Sequence, residues 1–486
     1  MQLKLTKMDF GKLKMYVGGE LIDSIDGSEK IIQCPANNNS IAQLSWANKN
    51  DAEHALESAK LGFKTWSKLS LEERKVWMTK FKNAVINNEK LLRKAIIYEM
   101  GKTYEGSKED IDSLTSSLDF YPDAMEKHFS DSSIDDKENT HTHTLKNYPV
   151  GVVVAYLAWN FPLLNLAFKI GPALASGCSI IIKPSEVSPV SAYLIGKLLK
   201  EINFPAGVVN IICGEPEIVA ATLSKSKIPR LITMIGSTNT AKKVFSDSSS
   251  SIKRLSMELG GNAPFIVFDD ADLKSAIDLA IGIKFGNSGQ ICVAANRFFI
   301  HEKIYDRFIE DYLKRVKNLK LGFGENQNPD MGPLITSKSR DRILDLIDDT
   351  LKNGGKLEYG GKIPKNHPIG NWLEPTVITN TNDKMRIFNE EIFGPVASIM
   401  KFSSDKEVLT LANKTDYGLA SYIFTTNEER INFFSENLEF GEVQVNGIKY
   451  AIYLPHGGIK ESGIGHDCSH LALHDYLTKK RISIAL

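Results

Sequence analysis

Cysteine is scarce in this chain of 486 residues. There are five, at Cys34, Cys178, Cys213, Cys292 and Cys468. Their number is odd, and none of them forms the CxxC pair typical of zinc ribbons and dithiol sites. This scarcity argues against a disulfide framework and against a zinc site, and it favours a reducing compartment such as the cytoplasm.

The sequence also lacks an excess of charge of either sign. Its 59 basic and 59 acidic residues cancel, and no basic stripe is present. We therefore expect no nucleic-acid partner. His141 and His143 stand close together in a polar segment, but no further ligands lie nearby, so we expect no metal site.

No apolar run is long enough for a clear membrane span. The nearest, residues 151–168, is interrupted by Asn160, Pro162 and Asn165 and fits a strand, a turn and a helix better. The first seven residues lack the apolar core of a signal peptide. We therefore expect no membrane association and a cytoplasmic setting.

From residue 148 onward, short apolar strands alternate with helices. The sequence predicts strands at 150–157, 178–183, 208–213 and 231–235, and a second alternating region from about residue 262. Strands that are apolar throughout and joined by helices are typical of a parallel sheet covered on both faces. The fold class is therefore α/β. Residues 51–66 and 70–104, which precede this region, show helical periodicity, with Asp51 as the cap of the first helix and a capping box of Ser70 and Glu73 at the start of the second.

Three stretches depart from this pattern. Residues 130–147 are polar and alternating, and they predict either a loop or an exposed two-stranded arm. Residues 475–486 end in the pattern of a strand with one buried face, which could pair with another subunit. Residues 354–374 are rich in Gly, Pro and Asn and predict a surface excursion.

Polar clusters follow three of the predicted strands, where parallel sheets bind ligands. Lys183 and Glu186 could bind ribose hydroxyls, and a carboxylate there disfavours a 2′-phosphate, so NAD is favoured and NADP remains possible. The alternative is an exposed ion pair at a helix start. Gly236 and Ser237 open a helix and suit a pyrophosphate, although they do not form the GxGxxG fingerprint.

Cys292 follows a loop rich in glycine and amide side chains. Such a loop can present a thiol in a cleft, whereas a lone cysteine can equally be a small core residue. Glu258 could activate water, and the Asn160 amide could bind an oxyanion. Taken singly, Asn160 could also be a turn residue and Glu258 a solvated charge.

A resemblance to the NAD(P)-dependent aldehyde dehydrogenase superfamily runs from about residue 15 to the C-terminus. Nine motifs carry it in the order typical of that family. They are Trp159-Asn-Phe-Pro162, Lys183-Pro-Ser-Glu186, Gly236-Ser-Thr238, Glu258-Leu-Gly-Gly261, Gly289-Gln-Ile-Cys292, Met331-Gly-Pro-Leu334, Glu391-Ile-Phe-Gly-Pro395, Tyr417-Gly-Leu-Ala420 and Gly457-Gly-Ile-Lys-Glu-Ser-Gly463.

The resemblance implies a three-part subunit. A Rossmann-type coenzyme domain would comprise residues 1–122 and 148–260, and an α/β catalytic domain residues 261–461. A small β bridging arm would comprise residues 123–147 and 470–486. In the family this arm holds the subunits together, so the resemblance implies a homodimer or homotetramer.

The resemblance also implies roles for individual residues. Cys292 would be the nucleophile, Asn160 the oxyanion donor and Glu258 the base. Lys183 and Glu186 would hold the adenine-side ribose, Glu391 the nicotinamide-side ribose, and Phe393 would pack at the nicotinamide. The remaining residues expected to bind the cofactor are Trp159, Ser185, Gly236 and Ser237.

The implied reaction is the oxidation of a small aldehyde to its carboxylate through a thioester on Cys292. Family members that acylate coenzyme A lack the glutamate found at Glu258, so hydrolysis is favoured. A coenzyme A-acylating enzyme and a non-catalytic structural member are the less favoured alternatives.

The sequence departs from the family where the substrate would bind. Gly286 and Phe168 stand where succinate semialdehyde dehydrogenases resembling this chain carry arginines, and Ala294 replaces their second cysteine. His456 replaces the usual Phe; it could bond a polar substrate or simply pack on the wall. We therefore expect a polar aldehyde, with an acidic semialdehyde as the alternative. The expected pocket residues are Phe161, Phe168, Gly286, Ile291, Val293 and His456.

Overall fold

Two largely parallel β-sheets covered by helices, with a small third sheet beside them, make up most of the computed structural model. The structure describes residues 9–324 and 329–486. The first seven residues, for which the sequence predicts no signal peptide, lie outside that range. None of the described helices is long and apolar enough to cross a membrane.

The described strands are short, as expected for strands in α/β proteins. In chain order they are β1 (Lys12–Leu13), β2 (Met15–Val17), β3 (Glu20–Ile22), β4 (Glu29–Gln33), β5 (Ser40–Ser45), β6 (Ser132–Ile134), β7 (His141–Pro149), β8 (Val152–Tyr156), β9 (Ser179–Lys183), β10 (Val209–Ile211), β11 (Pro229–Ile235), β12 (Arg254–Glu258), β13 (Ala263–Val267), β14 (Ala295–His301), β15 (Lys356–Tyr359), β16 (Thr376–Thr379), β17 (Val396–Phe402), β18 (Tyr417–Gly418), β19 (Ala420–Phe424), β20 (Glu442–Val445), β21 (Ile459–Lys460), β22 (Gly463–Ile464) and β23 (Leu477–Ala485).

The described helices connect these strands and cover the sheets. They are α1 (Lys49–Trp66), α2 (Leu71–Asn87), α3 (Glu89–Met100), α4 (Tyr104–His128), α5 (Pro162–Ser176), α6 (Val190–Glu201), α7 (Val219–Lys225), α8 (Thr238–Ser248), α9 (Leu273–Phe285), α10 (Tyr305–Lys317), α11 (Ser337–Lys352), α12 (Arg386–Asn389), α13 (Asp405–Asn413), α14 (Glu428–Asn437) and α15 (Leu473–Tyr476), with 3₁₀ turns at Gly286–Gly289, Glu302–Ile304 and His470–Ala472.

The first large sheet has the order β22-β12-β11-β8-β9-β10-β2-β3. Its five central strands run parallel, and β22, β2 and β3 join as antiparallel edges. Every residue of β8 and β9 is buried, and burying one such aliphatic side chain stabilises the fold by about 1.5–3 kcal/mol. The predicted parallel sheet is confirmed.

The second large sheet has the order β15-β16-β17-β14-β13-β19-β20. All its pairings are parallel except that of β15 with β16. The α/β fold class predicted from the alternating pattern is therefore confirmed in both halves of the chain. The carboxyl ends of the parallel strands of the first sheet, and the segments that lead into the strands of the second, supply the walls of the cleft described below.

The polar segment 130–147 forms strands. β7 lies between β6 and the C-terminal strand β23 in a three-stranded antiparallel sheet. The β23–β7 register runs from Leu477 opposite Pro149 to Ala485 opposite His141. Of the two alternatives for this segment, the structure therefore shows the arm, and the terminal strand pairs within its own chain. The domain boundaries at 122, 147, 260 and 461 stay predictions.

Two helical expectations need correction. The stretch 70–104 is two helices, because Asn88 ends α2 and begins α3, and Gly101 in the left-handed region (φ 81°) ends α3. The cap of α1 is Asn48, and Asp51 completes its capping box from inside the helix. The capping box of Ser70 and Glu73 is present as predicted.

The stretch 354–374 is only partly a surface excursion. It contains β15, and its end carries Trp372 and Leu373, which are both buried. The Trp372 indole donates a hydrogen bond of 2.8 Å to the carbonyl of Ala36. The Gly, Pro and Asn content correctly predicted turns. It did not indicate that Trp372 contacts the N-terminal part of the chain.

A buried ion pair ties α5 to the C-terminal segment. Lys169 Nζ lies 2.7 Å from both carboxylate oxygens of Asp467, and both side chains are nearly inaccessible to solvent. A charge buried at such a site needs its partner, because an unpaired buried charge is strongly destabilising. Asp467 also bonds the backbone of His456 on both sides, with N–O distances of 2.9 and 2.7 Å. The pair therefore anchors the segment that carries His456.

Candidate active site

A cleft of about 2960 Å³ opens where the carboxyl ends of β8, β9, β11 and β12 face the loops of the second sheet. It collects nearly all of the side chains singled out from the sequence. Those lining it are Trp159, Asn160, Phe161, Phe168, Lys183, Ser185, Glu186, Gly236, Ser237, Glu258, Ile291, Cys292, Val293, Glu391, Phe393 and His456.

Gly286 is the exception among the expected pocket residues. It is not one of the described residues that line the cleft. It begins the 3₁₀ turn after α9, and a Cβ built there would meet Ile291 Cδ1 at 3.9 Å. Position 286 therefore has room for a side chain behind Ile291.

The loop before Cys292 is held in an unusual backbone conformation. Three successive residues, Asn287, Ser288 and Gly289, lie in the left-handed region with φ of 47°, 57° and 71°. Non-glycine residues in that region cost about 1–3 kcal/mol each and persist only when their surroundings hold them. Ser288 Oγ does so by donating a hydrogen bond of 2.8 Å to the carbonyl of Gly332.

Amide side chains complete the support of this loop. Gln290 is buried; its Nε2 donates to the Asn287 carbonyl at 3.1 Å and its Oε1 accepts from the Ile335 amide at 2.9 Å. Behind the nucleophile candidate, a Cβ on Gly261 would lie 2.3 Å from the Cys292 carbonyl oxygen. The backbone of residue 292 is therefore wedged between two loops.

Cys292 differs from the other four cysteines in exposure. It is half-buried and lines the cleft, whereas Cys34, Cys178, Cys213 and Cys468 are buried. Burial raises the pKa of the Cys34 and Cys213 thiols to about 12. Cys292 therefore reaches the cleft while it also packs against the core of the second sheet, and its role as the nucleophile stays a prediction.

Asn160 lies just before α5 and is buried. Its Nδ2 donates to the Gln290 carbonyl at 3.1 Å, while its Oδ1 accepts from Asn165 Nδ2 at 3.3 Å. Asn287 Nδ2 in turn donates to the Asn160 backbone carbonyl at 3.0 Å. These contacts orient the Asn160 amide group toward the loop of Cys292 and leave one amide hydrogen for another acceptor.

Glu258 ends β12 and is only 3% exposed, so it is not a solvated charge. Neither carboxylate oxygen has a hydrogen-bond partner among the described residues. Burial raises the pKa of Glu258 well above its ordinary value, and Asp467 and Glu442 raise it further, against the opposing effects of His456 and Lys169. Burial in this arrangement therefore disfavours the charged form of the carboxyl group.

Two cofactor candidates meet at the end of β9. Lys183 forms an ion pair with Glu186; Lys183 is buried and Glu186 is half-buried. The alternative of a fully exposed pair is therefore wrong. Nearby, the Ser237 side chain caps α8 by accepting from the Thr240 amide at 3.3 Å, and this helix N-terminus faces the cleft.

Glu391 and Phe393 line the opposite wall. Glu391 Oε1 accepts a hydrogen bond of 2.9 Å from the Gly261 amide. Burial raises the pKa of Glu391 to about 7, although that hydrogen bond and the charges of Arg342 and Lys284 oppose the rise. The Phe393 ring packs edge-on against Trp159, with centroids 5.3 Å apart.

The expected pocket wall is aromatic, and a buried ion pair lies behind it. Lys102 Nζ lies 3.4 Å above the Phe161 ring centroid and forms a buried ion pair of 2.6 Å with Asp110. The rings of Phe168 and Tyr450 flank His456, with centroids 6.2 and 6.1 Å away. The cleft is therefore lined for a small molecule with a polar part.

His456 does not merely pack on this wall. Its Nδ1 lies 2.6 Å from Glu442 Oε1. Burial alone would lower the pKa of His456, but the interactions with Cys292 and Glu442 and the charge of Glu258 raise it well above its ordinary value.

The sequence did not identify Glu442 or Lys284 as candidate site residues. Glu442 stands in a strand without a distinctive motif, and only the unusual histidine at 456 hinted at an acidic partner. Lys284 is fully buried; its Nζ has no partner among the described residues, and burial lowers its pKa to about 7. In the described part of the chain, no group of three or more His, Cys, Asp or Glu is placed to hold a metal ion.

Comparison with known proteins gives a consistent result. Residues 24–482 match the aldehyde dehydrogenase family. The chain is 37% identical to a mitochondrial succinate-semialdehyde dehydrogenase of Oryza sativa over 96% of this chain and 88% of the relative. It is 32% identical to a glutarate-semialdehyde dehydrogenase of Pseudomonas putida over the full length of both.

Solved structures agree with these relatives. A 3,6-anhydro-L-galactose dehydrogenase in complex with NAP superposes with a TM-score of 0.95 at 33% identity, covering 97% of this chain and 100% of that one. A betaine aldehyde dehydrogenase of Staphylococcus aureus in complex with NAD+ gives a TM-score of 0.94 at 33% identity, covering 97% and 94%.

The left-handed turn before Cys292 generates a stability prediction. Gly289→Ala should lower the free energy of unfolding by about 1–3 kcal/mol, because φ is positive there and a Cβ would lie 2.2 Å from the Gly394 carbonyl oxygen. Unfolding in denaturant measures the change. Gly282→Ala is the matched control: it lies within α9 with no described heavy atom within 4 Å of its Cβ, so it should stabilise by about 0.5–1 kcal/mol. Equal midpoints for both variants would contradict the prediction.

Proposed function

The chain belongs to the aldehyde dehydrogenase family, and on that premise we propose that it oxidises a small, polar aldehyde to its carboxylate with NAD(P)+. The observation that carries the proposal is the meeting of Cys292, Asn160 and a buried Glu258 in one cleft. A thiol nucleophile, an amide donor and a base are the groups that acyl transfer through a thioester requires.

The residues present fit a nicotinamide dinucleotide. The N-terminus of α8, capped by Ser237, supplies backbone amides suited to a pyrophosphate. Lys183 and Glu186 would hold the adenine-side ribose, with Ser185 and Gly236 beside them. Glu391 would hold the nicotinamide-side ribose between Trp159 and Phe393. When bound, the cofactor accepts the hydride from the substrate.

The chain's own residues would carry the other steps. The Cys292 thiol loses its proton to solvent, its sulfur attacks the carbonyl carbon, and the resulting oxyanion is held by the Asn160 amide and the Cys292 backbone NH. Once the hydride has left, a thioester remains on Cys292. Glu258 then takes a proton from water, hydroxide adds to the thioester carbon, and the C–S bond breaks to release the carboxylate.

A second candidate is oxidation of an acidic semialdehyde. The relatives named as succinate- and glutarate-semialdehyde dehydrogenases favour it. Phe168 and Gly286 argue against it, because neither offers a cation where the resemblance places substrate arginines. The polar wall formed by His456 and Tyr450 suits a hydroxylated aldehyde better.

We further propose a homodimer or homotetramer that assembles through the arm sheet β23-β7-β6. Its two outer strands have unpaired edges within the described chain, and they carry exposed apolar side chains at Ile134 and Ile484. Such edges favour pairing with another chain. The five unpaired cysteines support a reducing, cytoplasmic setting.

The substrate class is tested by kcat/KM over matched neutral, hydroxylated, carboxylated and sulfonated aldehydes. We expect the hydroxylated aldehyde to give the highest value, because His456 and Tyr450 present polar groups to the cleft. A carboxylated semialdehyde that exceeds it tenfold would establish the second candidate. An absence of NADH or NADPH formation with every aldehyde would indicate a non-catalytic member.

The mechanism predicts different effects for two variants. Cys292→Ala should abolish turnover without unfolding the chain. Glu258→Gln should leave a burst of one NADH per site and little steady turnover, because glutamine resembles the protonated carboxyl but cannot activate water. In the wild type, deacylation should rise with pH as Glu258, whose pKa is raised, loses its proton.

Rapid mixing with NADH absorbance measures the burst, and circular dichroism confirms that each variant folds. Oxidation by Cys292→Ala would contradict the assignment of the nucleophile. A folded Glu258→Gln variant without a burst would contradict a role confined to deacylation. Steady turnover that strictly requires coenzyme A would replace hydrolysis by acyl transfer to that thiol.

The cofactor preference is tested at Glu186. Glu186→Ser should raise the NADP/NAD ratio of kcat/KM by about tenfold, equivalent to ~1.4 kcal/mol, because a carboxylate repels a 2′-phosphate. Glu201→Ser removes an exposed carboxylate at the far end of α6 and should leave the ratio unchanged. The same ratio in both variants would remove the basis for preferring NAD.

A further inference from the structure

His456 meets a carboxylate in the cleft, that of Glu442, which the family resemblance does not mention. The two atoms in contact, His456 Nδ1 and Glu442 Oε1, are 2.6 Å apart. Both residues line the cleft, yet their side chains are only 13% and 12% exposed. Salt and solvent screen such weakly exposed charges much less than surface charges. This pair therefore affects the charge that a ligand meets in the cleft.

Further contacts connect this pair to the groups that would react with an aldehyde. The residue after the histidine is Gly457, and a Cβ there would lie 3.4 Å from Glu258 Oε1. The Tyr450 ring centroid is 6.1 Å from that of the histidine, and its hydroxyl lies 2.8 Å from the Tyr422 hydroxyl. Tyr422 in turn donates a hydrogen bond of 2.7 Å to the carbonyl of Val293, the residue after the proposed nucleophile. The pair is therefore connected both to the proposed base and to the nucleophile loop.

The histidine also lies beside position 168. The Phe168 ring centroid is 6.2 Å from that of His456. Position 168 is one of the two where the succinate semialdehyde dehydrogenases that this chain resembles carry an arginine for the substrate carboxylate. An imidazolium at His456 with no partner of its own would therefore offer a cation close to the place of that arginine.

Glu442 balances the charge of that cation. Burial opposes a charge on His456. Its interactions with Cys292, Glu442 and Glu258 nevertheless raise its pKa well above the ordinary value, so imidazolium and carboxylate form a pair without net charge. Lys449 also lines the cleft, but its side chain is exposed, where solvent screens its charge. An anionic substrate would therefore meet a histidine whose charge is already compensated.

Hydrogen bonds of the main chain hold both partners in place. His456 exchanges two of them with Asp467, with N–O distances of 2.9 and 2.7 Å. The Glu442 amide donates to the Leu419 carbonyl at 3.0 Å, and its carbonyl accepts from Ser421 Oγ at 2.8 Å. The fold itself therefore holds the carboxylate beside the imidazole, before any substrate enters.

We propose that Glu442 is a specificity-determining residue, which excludes carboxylated aldehydes from the site by compensating the charge of His456. The inference rests on the proposed oxidation of an aldehyde at Cys292 and states which aldehydes are rejected. A carboxylate that loses its hydration in the cleft needs an uncompensated cation in return, and Glu442 already occupies the one that His456 offers. A hydroxylated aldehyde brings no charge, so its hydroxyl can bond either member of the pair without this penalty.

The test is the binding of succinate and of its neutral analogue succinamide to the full-length protein, measured by isothermal titration calorimetry. In the wild type, succinate should bind no more tightly than succinamide. Glu442→Gln should tighten succinate binding by about tenfold or more and leave succinamide binding within about twofold, because the imidazolium loses its partner charge. The glutamine oxygen can still accept the Nδ1 hydrogen, so the ring should keep its place. Succinate binding as weak in the folded variant as in the wild type would overturn the proposal.

Further variants assign the effect to the pair. Glu436→Gln is the matched control: it removes the same charge at an exposed position of α14 and should leave both affinities unchanged. The double variant Glu442→Gln/His456→Phe should lose the gain, because the cation is gone. A gain that persists in the double variant, or that appears equally in Glu436→Gln, would overturn the proposal. Circular dichroism checks each fold, and should Glu442→Gln fail to fold, Glu442→Met is judged by the same criteria.

The proposed function fails by a different result, because succinate binding needs neither cofactor nor turnover. If the wild type oxidises an aldehyde but Glu442→Gln binds succinate no more tightly, the role of Glu442 is overturned and the oxidation stands. If succinate binding tightens as expected and no aldehyde is oxidised, the charge selection is supported and the proposed oxidation is overturned. In an active enzyme, Glu442→Gln should also raise kcat/KM for a carboxylated aldehyde about tenfold relative to a hydroxylated one, chiefly through KM.

Discussion

The site depends on one steric constraint, the close contact of main chains around Cys292. Gly261 lies against the Cys292 carbonyl and Gly289 against the Gly394 carbonyl, at separations that leave no space for a Cβ. Because the backbone cannot shift, the left-handed turn at 287–289 must be held by side chains, and Ser288 and Gln290 do so. Asn160 is oriented by the same loop. The same loop therefore sets both the position of the Cys292 thiol and the direction of the Asn160 amide.

Within this rigid frame, the chemistry is governed by desolvation. Glu258, Glu391 and His456 lie in one cleft, and burial acts on all three, raising the pKa of both carboxyls and opposing the charge on the histidine. The carboxyls have few hydrogen bonds to offset it, whereas His456 has Glu442. Burial thus favours the uncharged form of the two carboxyls, whereas Glu442 favours the charged form of the histidine.

Much of the fold was accessible from the sequence because it follows from local patterns. Continuous apolar strands such as β8 and β9 predict a parallel sheet, and the ends of those strands predict where Asn160, Lys183 and Glu258 lie. What the sequence could not show depends on contacts between distant segments. The anchoring of Trp372 on Ala36, the burial of Lys284 and the contact of His456 with Glu442 arise only after the second sheet has formed. The break between α2 and α3 at Asn88 was missed for another reason. The helical periodicity of the sequence continues from one helix into the next.

The pairing of β23 with β7 affects the order in which the protein can fold during its synthesis. β7 leaves the ribosome long before β23, and Lys169 emerges 298 residues before its partner Asp467. Until residues 467–485 have been made, Lys169 has no counter-charge and the arm lacks one of its three strands. The first sheet can form early around β8 and β9. Its edge strand β22 can join β12 only later in synthesis. A late step in folding therefore also brings His456 into the cleft that Cys292 lines.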